Sequence, residues 1–255
     1  MFLVTSHMLR AFYLTLASIA FALPTTLAAA PAEPRAQIDV AERTREPFAD
    51  TVLLPAGGGV LEKWFRVWRQ WNDEQRALVD CRDDLTRCTD PAAREFLAIV
   101  DRAKALQGRA QLGEINRAIN LAIRPTDDLV ALGSIDVWSS PLATLARHSG
   151  DCEDYAILKF AALLEAGVPS EDIRIVIVHD TARSEDHGVV TVRHEGQWLV
   201  LDNRRLVMLA DAQLANYSPL LQLDAAGARR YLDIARTSGE GAGPSAAVAP
   251  SATAR

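Results

Sequence analysis

The sequence predicts an α+β fold in which a helical N-terminal part packs on an antiparallel sheet. Apolar side chains recur at helical spacing up to about residue 165, and short segments of strand-forming residues follow from residue 173 onward. Glu195 and Gly196 separate two of these segments and are expected to form a two-residue hairpin turn. With 255 residues, 49% of them hydrophobic and 24% charged, the chain is neither a disordered protein nor a disulfide-dense mini-protein.

Five helices and three strands are predicted in order along the chain. The first helix begins near Leu61, and its tryptophan stripe over 64–71 is typical of a core-facing surface rather than a ligand platform. Ser140 followed by Pro141 indicates the N-cap and first residue of a short helix that ends near Arg147. The other helices are predicted at 91–107, 113–124 and 152–165, and the strands at 173–179, 187–194 and 197–202.

Composition divides the chain into four segments. Residues 1–28 have the apolar run and small-residue cleavage region of a secretory signal peptide, with an uncleaved anchor as the alternative. Residues 29–57 are predicted to be a linker, 58–236 one domain, and 237–255 a disordered low-complexity tail. Export, with no later apolar run long enough to span a bilayer, predicts a mature protein that is not membrane-embedded. A net charge of −6 without a polybasic cluster argues against nucleic-acid binding.

The chain has three cysteines, which cannot all pair with one another. Cys81 and Cys88 are close in sequence, and in an oxidising compartment they are expected to form a disulfide. A zinc site is the alternative, although neither a CxxC pattern nor a nearby histidine supports it. Cys152 is then left over, as a reactive thiol or for pairing with another molecule.

Cys152 follows Gly150 and Asp151 at the predicted start of a helix. Backbone N–H groups and the helix dipole at this position favour the thiolate, which is the reactive form of cysteine. The alternative is a small buried hydrophobic residue, but a polar junction is a poor place for core packing. Cys152 is therefore a candidate nucleophile.

The predicted hairpin supplies a base and a carboxylate for this thiol. A two-residue turn at 195–196 places Asp202 opposite Val189. His187 then lies on the same face as Asp202, as its diagonal neighbour within side-chain reach, whereas a slip of one residue would separate them. Cys152, His187 and Asp202 are therefore candidate catalytic residues, with a surface histidine and a strand-end aspartate as the alternative.

The sequence around Cys152 resembles the bacterial transglutaminase-like cysteine proteinases, the LapG-type periplasmic proteases. The similarity begins at Asp136 with DVWSSPLATLARHSGDCEDYAILKFAALLEAGVP and continues through His187, WLVLDN and the Asn-Tyr-Ser-Pro segment at 216–219. It covers roughly residues 60–220, and GDCEDYA is its most specific part. The family motif has a bulkier apolar residue at the position of Gly188. Because of this departure, the resemblance does not fix the substrate of this chain or the receptor that would regulate it.

The resemblance implies a papain-like/transglutaminase-like cysteine protease fold with nucleophile Cys152, base His187 and orienting residue Asp202. Members of the family cleave a large surface adhesin in the periplasm, which disperses biofilm, and an inner-membrane receptor that senses cyclic di-GMP holds them in check. We therefore expect a periplasmic cysteine endopeptidase with a protein substrate. A transglutaminase-type acyl transferase and a non-catalytic binding module on the same fold are the alternatives.

The resemblance also implies calcium as a cofactor, bound by Asp151, Glu153 and Asp154. Carboxylates beside a thiolate raise its pKa, and a hard cation with oxygen ligands would neutralise them. Calcium takes about six to eight oxygen ligands, so Asp136, carbonyl groups or water would have to contribute. The alternative is that Asp151 caps the helix while the next two acidic residues complement its dipole without a metal.

Overall fold

Helices come first along the chain and most of the sheet follows, as the sequence predicts. The computed structural model describes residues 45–48, 53–83, 86, 88–127 and 137–232. Within these residues the α-helices are α1 (Gly59–Asp83), α2 (Pro91–Lys104), α3 (Gly108–Ala122), α4 (Pro141–Arg147) and α5 (Cys152–Glu165). The strands there are β1 (Leu53–Pro55), β2 (Arg124–Pro125), β3 (Ser149–Gly150), β4 (Ile173–Asp180), β5 (Glu185–His194), β6 (Gln197–Leu201), β7 (Leu209–Ala210), β8 (Tyr217–Asp224) and β9 (Gly227–Tyr231). None of the described helices is both long and apolar enough to cross a membrane.

The helix boundaries largely agree with the prediction. Helices α4 and α5 begin and end where expected, whereas α3 begins at Gly108 instead of 113. The Ser140 hydroxyl does not cap its own helix but donates to Glu74 of α1. Glu74 also accepts the Leu142 N–H at 3.1 Å, so a side chain from another helix satisfies the start of α4.

Seven of the strands in the described part of the chain form one antiparallel sheet in the order β1-β9-β8-β4-β5-β6-β7, while β2 and β3 pair separately and in parallel. The turn between β5 and β6 consists of Glu195 and Gly196, whose φ angles of 50° and 79° are both positive, as a type I′ turn requires. It places Val190 opposite Leu201. The predicted hairpin and its register are confirmed.

The larger part of the core lies between the helices and one face of the sheet. Trp64 of α1 packs edge-on against Phe160 of α5, with ring centroids 5.5 Å apart, and donates its indole N–H to the Asp224 carbonyl at 2.9 Å. Trp64 and Trp71 are buried and Trp68 is half-buried. The tryptophan stripe is therefore core, as predicted, and it joins two helices to the sheet.

A smaller apolar cluster covers the other face of the sheet, and the chain before residue 58 helps to form it. Phe48 packs on this cluster, and β1 pairs with β9 at the edge of the sheet. The Pro47 carbonyl accepts the Tyr231 hydroxyl at 3.0 Å. The described part of the predicted linker, 29–57, thus belongs to the domain. Its segments are too short to show a periodicity, and their partners are far along the chain.

The predicted disulfide is confirmed, since Cys81 near the end of α1 is bonded to Cys88 just before α2. The bond closes the tight connection between these two helices. The predicted signal peptide, 1–28, and the predicted tail, 237–255, lie outside the described residues.

Candidate active site

Cys152 is the first residue of α5, and it is the free cysteine of the chain. The preceding residue, Asp151, has extended backbone and caps the helix by accepting the Asp154 N–H at 3.2 Å. The thiol is partly exposed. The predicted start of a helix at Cys152 is therefore confirmed.

The loop before Cys152 is held by Asp154, whose side chain is fully buried. One carboxylate oxygen accepts the Ser139 N–H at 2.8 Å, and the other pairs with the Arg147 guanidinium at 3.1 Å. Gly150 packs directly on this side chain, because a Cβ at position 150 would lie 2.6 Å from its Oδ2. The glycine and the second aspartate of the GDCED motif therefore form one structural unit.

His187 and Asp202 are both buried and face each other across the β5–β6 hairpin. The His187 Nε2–H donates to Asp202 Oδ1 at 2.9 Å, which the predicted register requires. The other ring nitrogen, Nδ1, is buried and has no hydrogen-bond partner among the described residues. Asp202 thus selects the tautomer that leaves Nδ1 free to accept a proton.

Three donors hold the Asp202 carboxylate. Besides His187, the Arg204 backbone N–H reaches Oδ1 at 2.9 Å, and the Tyr217 hydroxyl donates to Oδ2 at 2.8 Å. Burial by itself would raise the pKa of Asp202, but these hydrogen bonds and the charge of His187 hold it well below its usual value. Asp202 therefore stays ionised beside the imidazole.

Tyr217 was not predicted as a site residue. It belongs to the Asn-Tyr-Ser-Pro segment at 216–219, which the resemblance included without a role. No local pattern connects it to Asp202, because β4 and β5 lie between β8 and β6 in the sheet.

The Cys152 thiol donates to Glu153 Oε2 at 2.8 Å in this structure, rather than to His187. Burial first, and then the negative charge and hydrogen bond of Glu153, raise the pKa of the thiol far above its ordinary value. The Gly188 backbone amide, adjacent to His187, donates to the sulfur and partly opposes this rise. The contact with Glu153 therefore disfavours the thiolate.

Gly188 allows β5 to approach the start of α5 closely. A Cβ at this position would lie 3.4 Å from the Cys152 carbonyl and from the Glu153 nitrogen. These are van der Waals contact distances, so the strand and the start of the helix lie close together here. The departure from the expected motif thus coincides with the contact between the strand that carries the histidine and the helix that carries the cysteine.

The three predicted calcium ligands are not brought together as one site. Asp154 points into the core toward Arg147, whereas Asp151 and Glu153 remain partly exposed on either side of Cys152. No group of three or more metal-ligating side chains occurs among the described residues, and Asp136 lies outside them. Neighbours at the start of a helix point in different directions, so adjacency in sequence does not make a ligand set. The described residues thus fit calcium only in part, through Asp151 and Glu153.

A cysteine at a helix N-terminus beside a buried His–Asp pair on an antiparallel sheet defines a cysteine peptidase of the papain-like/transglutaminase-like class. The chain belongs to the family of bacterial transglutaminase-like cysteine proteinases, whose model matches residues 77–238. The LapG-type family and the α+β fold class are therefore confirmed.

Solved structures of Legionella pneumophila LapG are similar to this chain. One is 24% identical, covers 65% of this chain and 91% of that chain, and superposes with a TM-score of 0.52. An EGTA-treated form is 25% identical over 65% of this chain and 87% of that chain, with a TM-score of 0.51. A calcium-bound form is 26% identical over 55% and 77%, with a TM-score of 0.49. A comparison with curated proteins found no match.

Proposed function

We propose that this cysteine peptidase is a periplasmic endopeptidase in which Cys152 is the nucleophile, His187 the base and Asp202 the residue that orients the base. The observation that carries the proposal is the buried His187–Asp202 pair. Among the described residues His187 Nδ1 has no hydrogen-bond partner, and the neighbouring Gly188 N–H donates to the Cys152 sulfur. The agreement of these positions with the family motif supports it further.

The proposed reaction begins when the Cys152 thiol turns from Glu153 toward His187 and gives its proton to Nδ1. The thiolate attacks the carbonyl carbon of a peptide bond, and the Cys152 backbone N–H stabilises the oxyanion. His187 then protonates the departing amine, and water hydrolyses the acyl-enzyme. Asp202 holds the imidazole in the required tautomer and stabilises its charged form.

In the proposed enzyme, the contact with Glu153 keeps the Cys152 thiol unreactive. While the Glu153 carboxylate accepts a hydrogen bond from the thiol, the reactive thiolate is disfavoured. Calcium, when bound by Asp151 and Glu153, would supply the positive charge that reverses this effect. The resemblance to the LapG-type proteases, which implies calcium as a cofactor, supports this proposal.

The calcium proposal is tested by thermal unfolding in calcium chloride and in EGTA. We expect calcium to raise the unfolding temperature of the wild type, and the Glu153→Gln variant to lose most of that increase. The Glu171→Gln variant, which changes an exposed acidic residue on a distant turn, serves as the control. An unfolding temperature that is equal in both solutions contradicts the proposal.

A cell-surface adhesin, or a similar exported protein, is the proposed substrate, and an inner-membrane receptor for cyclic di-GMP is the proposed inhibitor. Both rest on the family resemblance and on the signal-type segment at 1–28. Incubation of the mature protein with N-terminal fragments of candidate adhesins, followed by sequencing of the new termini, identifies the cleaved bond. Intact fragments under conditions in which Cys152 reacts would exclude that adhesin as a substrate.

The triad is tested without a substrate by alkylation, because Cys152 is the free thiol. With calcium chloride present to offset the charge of Glu153, we expect iodoacetamide to react with Cys152 faster than with a small thiol, and the His187→Ala variant to lose that advantage. General-base assistance contributes roughly 10²–10⁴-fold in enzymes. His179→Ala is the matched control, since His179 also pairs with a carboxylate, Asp186 at 2.9 Å, but on the exposed surface.

The same experiment separates the alternatives. If Cys152 is alkylated no faster than a small thiol, and the rate is the same in His187→Ala, a non-catalytic binding module is indicated. A reactive thiol that transfers the acyl group to an added primary amine in preference to water would indicate a transglutaminase-type acyl transferase.

A further inference from the structure

Tyr217 contacts the candidate catalytic pair from β8, which β4 and β5 separate from β6 in the sheet. Its hydroxyl donates to Asp202 Oδ2 at 2.8 Å, and Asp202 is 1% exposed. The two other donors to this carboxylate, from His187 and Arg204, both reach Oδ1. Without the tyrosine hydroxyl, Oδ2 would lose the hydrogen bond that it accepts in this structure. A buried, charged oxygen is costly to leave unpaired.

Tyr217 also contacts the imidazole directly. Its ring meets the His187 ring edge-on, with centroids 5.9 Å apart and planes at 69°. This geometry is favourable for aromatic pairs and restricts the tilt of both rings. A single side chain therefore contacts both members of the His187–Asp202 pair.

The tyrosine is itself held in place. Phe48, from the segment that precedes β1, lies against its ring with centroids 6.3 Å apart, and the Arg205 guanidinium lies 5.8 Å from the ring centre. Tyr217 is 5% exposed and begins β8, where it pairs with Asp180 of β4. The hydroxyl is thus directed at Asp202 by contacts on several sides.

We propose that Tyr217 is a positioning residue of the active site, which fixes the Asp202 carboxylate through its hydroxyl and the His187 ring through its edge, so that Nδ1 is presented to the Cys152 thiol. The inference rests on the proposed function, in which His187 takes the proton of Cys152. It assigns Tyr217 no contact with substrate and no covalent step.

The titration behaviour of the two partners agrees with this role. Burial first, and then the negative charge of Asp202, raise the pKa of Tyr217 to about 12, so the hydroxyl remains a donor at any physiological pH. The same hydrogen bond contributes to the lowered pKa of Asp202. The interaction is therefore present in the pH range in which a cysteine peptidase works.

The test compares Tyr217→Phe with Tyr231→Phe, a buried tyrosine on the neighbouring strand β9. The Tyr231 hydroxyl oxygen lies 2.7 Å from Gln222 Oε1 and 3.0 Å from the Pro47 carbonyl oxygen, so both variants lose a buried hydroxyl in the same sheet. The rate of Cys152 alkylation by iodoacetamide is measured from pH 4 to 9. We expect Tyr217→Phe to react about tenfold more slowly near neutral pH, with its acidic limb moved to higher pH, because a misplaced imidazolium stabilises the thiolate less well. Tyr231→Phe should retain the wild-type profile.

A second measurement does not depend on reactivity. In a Cys152→Ala background, we expect Tyr217→Phe to change the NMR titration of His187, and Tyr231→Phe to leave it unchanged. If Tyr217→Phe does not fold, 3-fluorotyrosine at position 217 keeps the ring, strengthens the donor and should also shift this titration. Equal effects of the two phenylalanine variants, or an unaltered His187 titration, would overturn the positioning role. The alkylation rate of Cys152 could be the same in wild type and His187→Ala while Tyr217→Phe still changes the NMR titration of His187. That result would contradict the proposed function but leave the contact between Tyr217 and the His187–Asp202 pair supported.

Discussion

Lys159 permits a quantitative test of the burial that the fold imposes on α5. The side chain is 0% exposed, its Nζ lies 3.5 Å from the Leu201 carbonyl oxygen, and it is 5.8 Å from the centre of the Tyr155 ring. Burial lowers the pKa of Lys159 from 10.5 to about 7, against the attraction of Asp202, which raises it. We predict that this one side chain makes the stability of the protein depend on pH above neutrality.

The sign and size follow from proton binding. At low pH the ammonium is charged in both states, and its burial opposes folding in full. Between a folded pKa of about 7 and an unfolded pKa of 10.5, the unfolded chain holds a proton that the folded chain has released, so stability rises with pH. One pKa unit corresponds to about 1.36 kcal/mol, which makes the expected gain in unfolding free energy about 2 kcal/mol between pH 7 and pH 9.

The assay is urea denaturation at pH 7 and pH 9 for the wild type, Lys159→Met and Lys104→Met. Methionine is unbranched and apolar and differs from lysine in length by one atom, so it fills most of the same space without a charge. Other groups titrate alike in all three proteins. Any increase in unfolding free energy from pH 7 to pH 9 that is lost in Lys159→Met therefore comes from the titration of Lys159. Lys104 is exposed near the end of α2, and its replacement should leave the wild-type pH dependence unchanged.

Equal pH slopes for the wild type and Lys159→Met would refute the reasoning. They would mean that the ammonium remains charged in the folded protein, because water or a carboxylate compensates it better than the contacts with Leu201 and Tyr155 indicate. A slope of opposite sign would mean that the folded state binds the proton more tightly than the unfolded chain does.

Three further predictions concern stability. Gly150→Ala should lower the unfolding free energy by about 1–3 kcal/mol, because its Cβ would overlap the buried Asp154 side chain; an unchanged urea midpoint would contradict that contact. Arg147→Ala should cost about 3 kcal/mol in the same assay by leaving the Asp154 carboxylate buried without its counter-charge, whereas a loss below about 1 kcal/mol would show that water replaces the guanidinium. Replacing Cys81 and Cys88 together by serine should cost about 2.5 kcal/mol, from the chain entropy of a short loop, and should leave the alkylation rate of the active-site thiol unchanged.

Much of the site could be predicted because its signals are local. The start of α5 follows from the polar Gly-Asp-Cys junction, and the facing of His187 and Asp202 follows from a two-residue turn, which sets the register of a hairpin. The disulfide follows from short spacing and an oxidising compartment.

Other parts could not be predicted, because they depend on partners distant in sequence. Strands β8 and β9 carry no clear alternation, and β1 is only three residues long, so their pairing depends on the rest of the sheet. The family resemblance offers Asp154 as a weaker metal-ligand candidate than Asp151 and Glu153, and its position on the helix turns its side chain toward Arg147 in the core.

The sequence by itself determined the order of helices and strands, the position of the thiol and the register that joins His187 to Asp202, since each depends on residues within one turn or one hairpin. Only the tertiary structure decided that Tyr217 completes the donors around Asp202, that Lys159 is buried against the Leu201 carbonyl, and that the chain near Phe48 covers the back of the sheet. Tyr217 is 15 residues from Asp202, the same separation as His187, but no single hairpin joins it to Asp202, and the other two contacts span longer stretches of chain. Such contacts form only when the packing of the whole sheet brings the segments together.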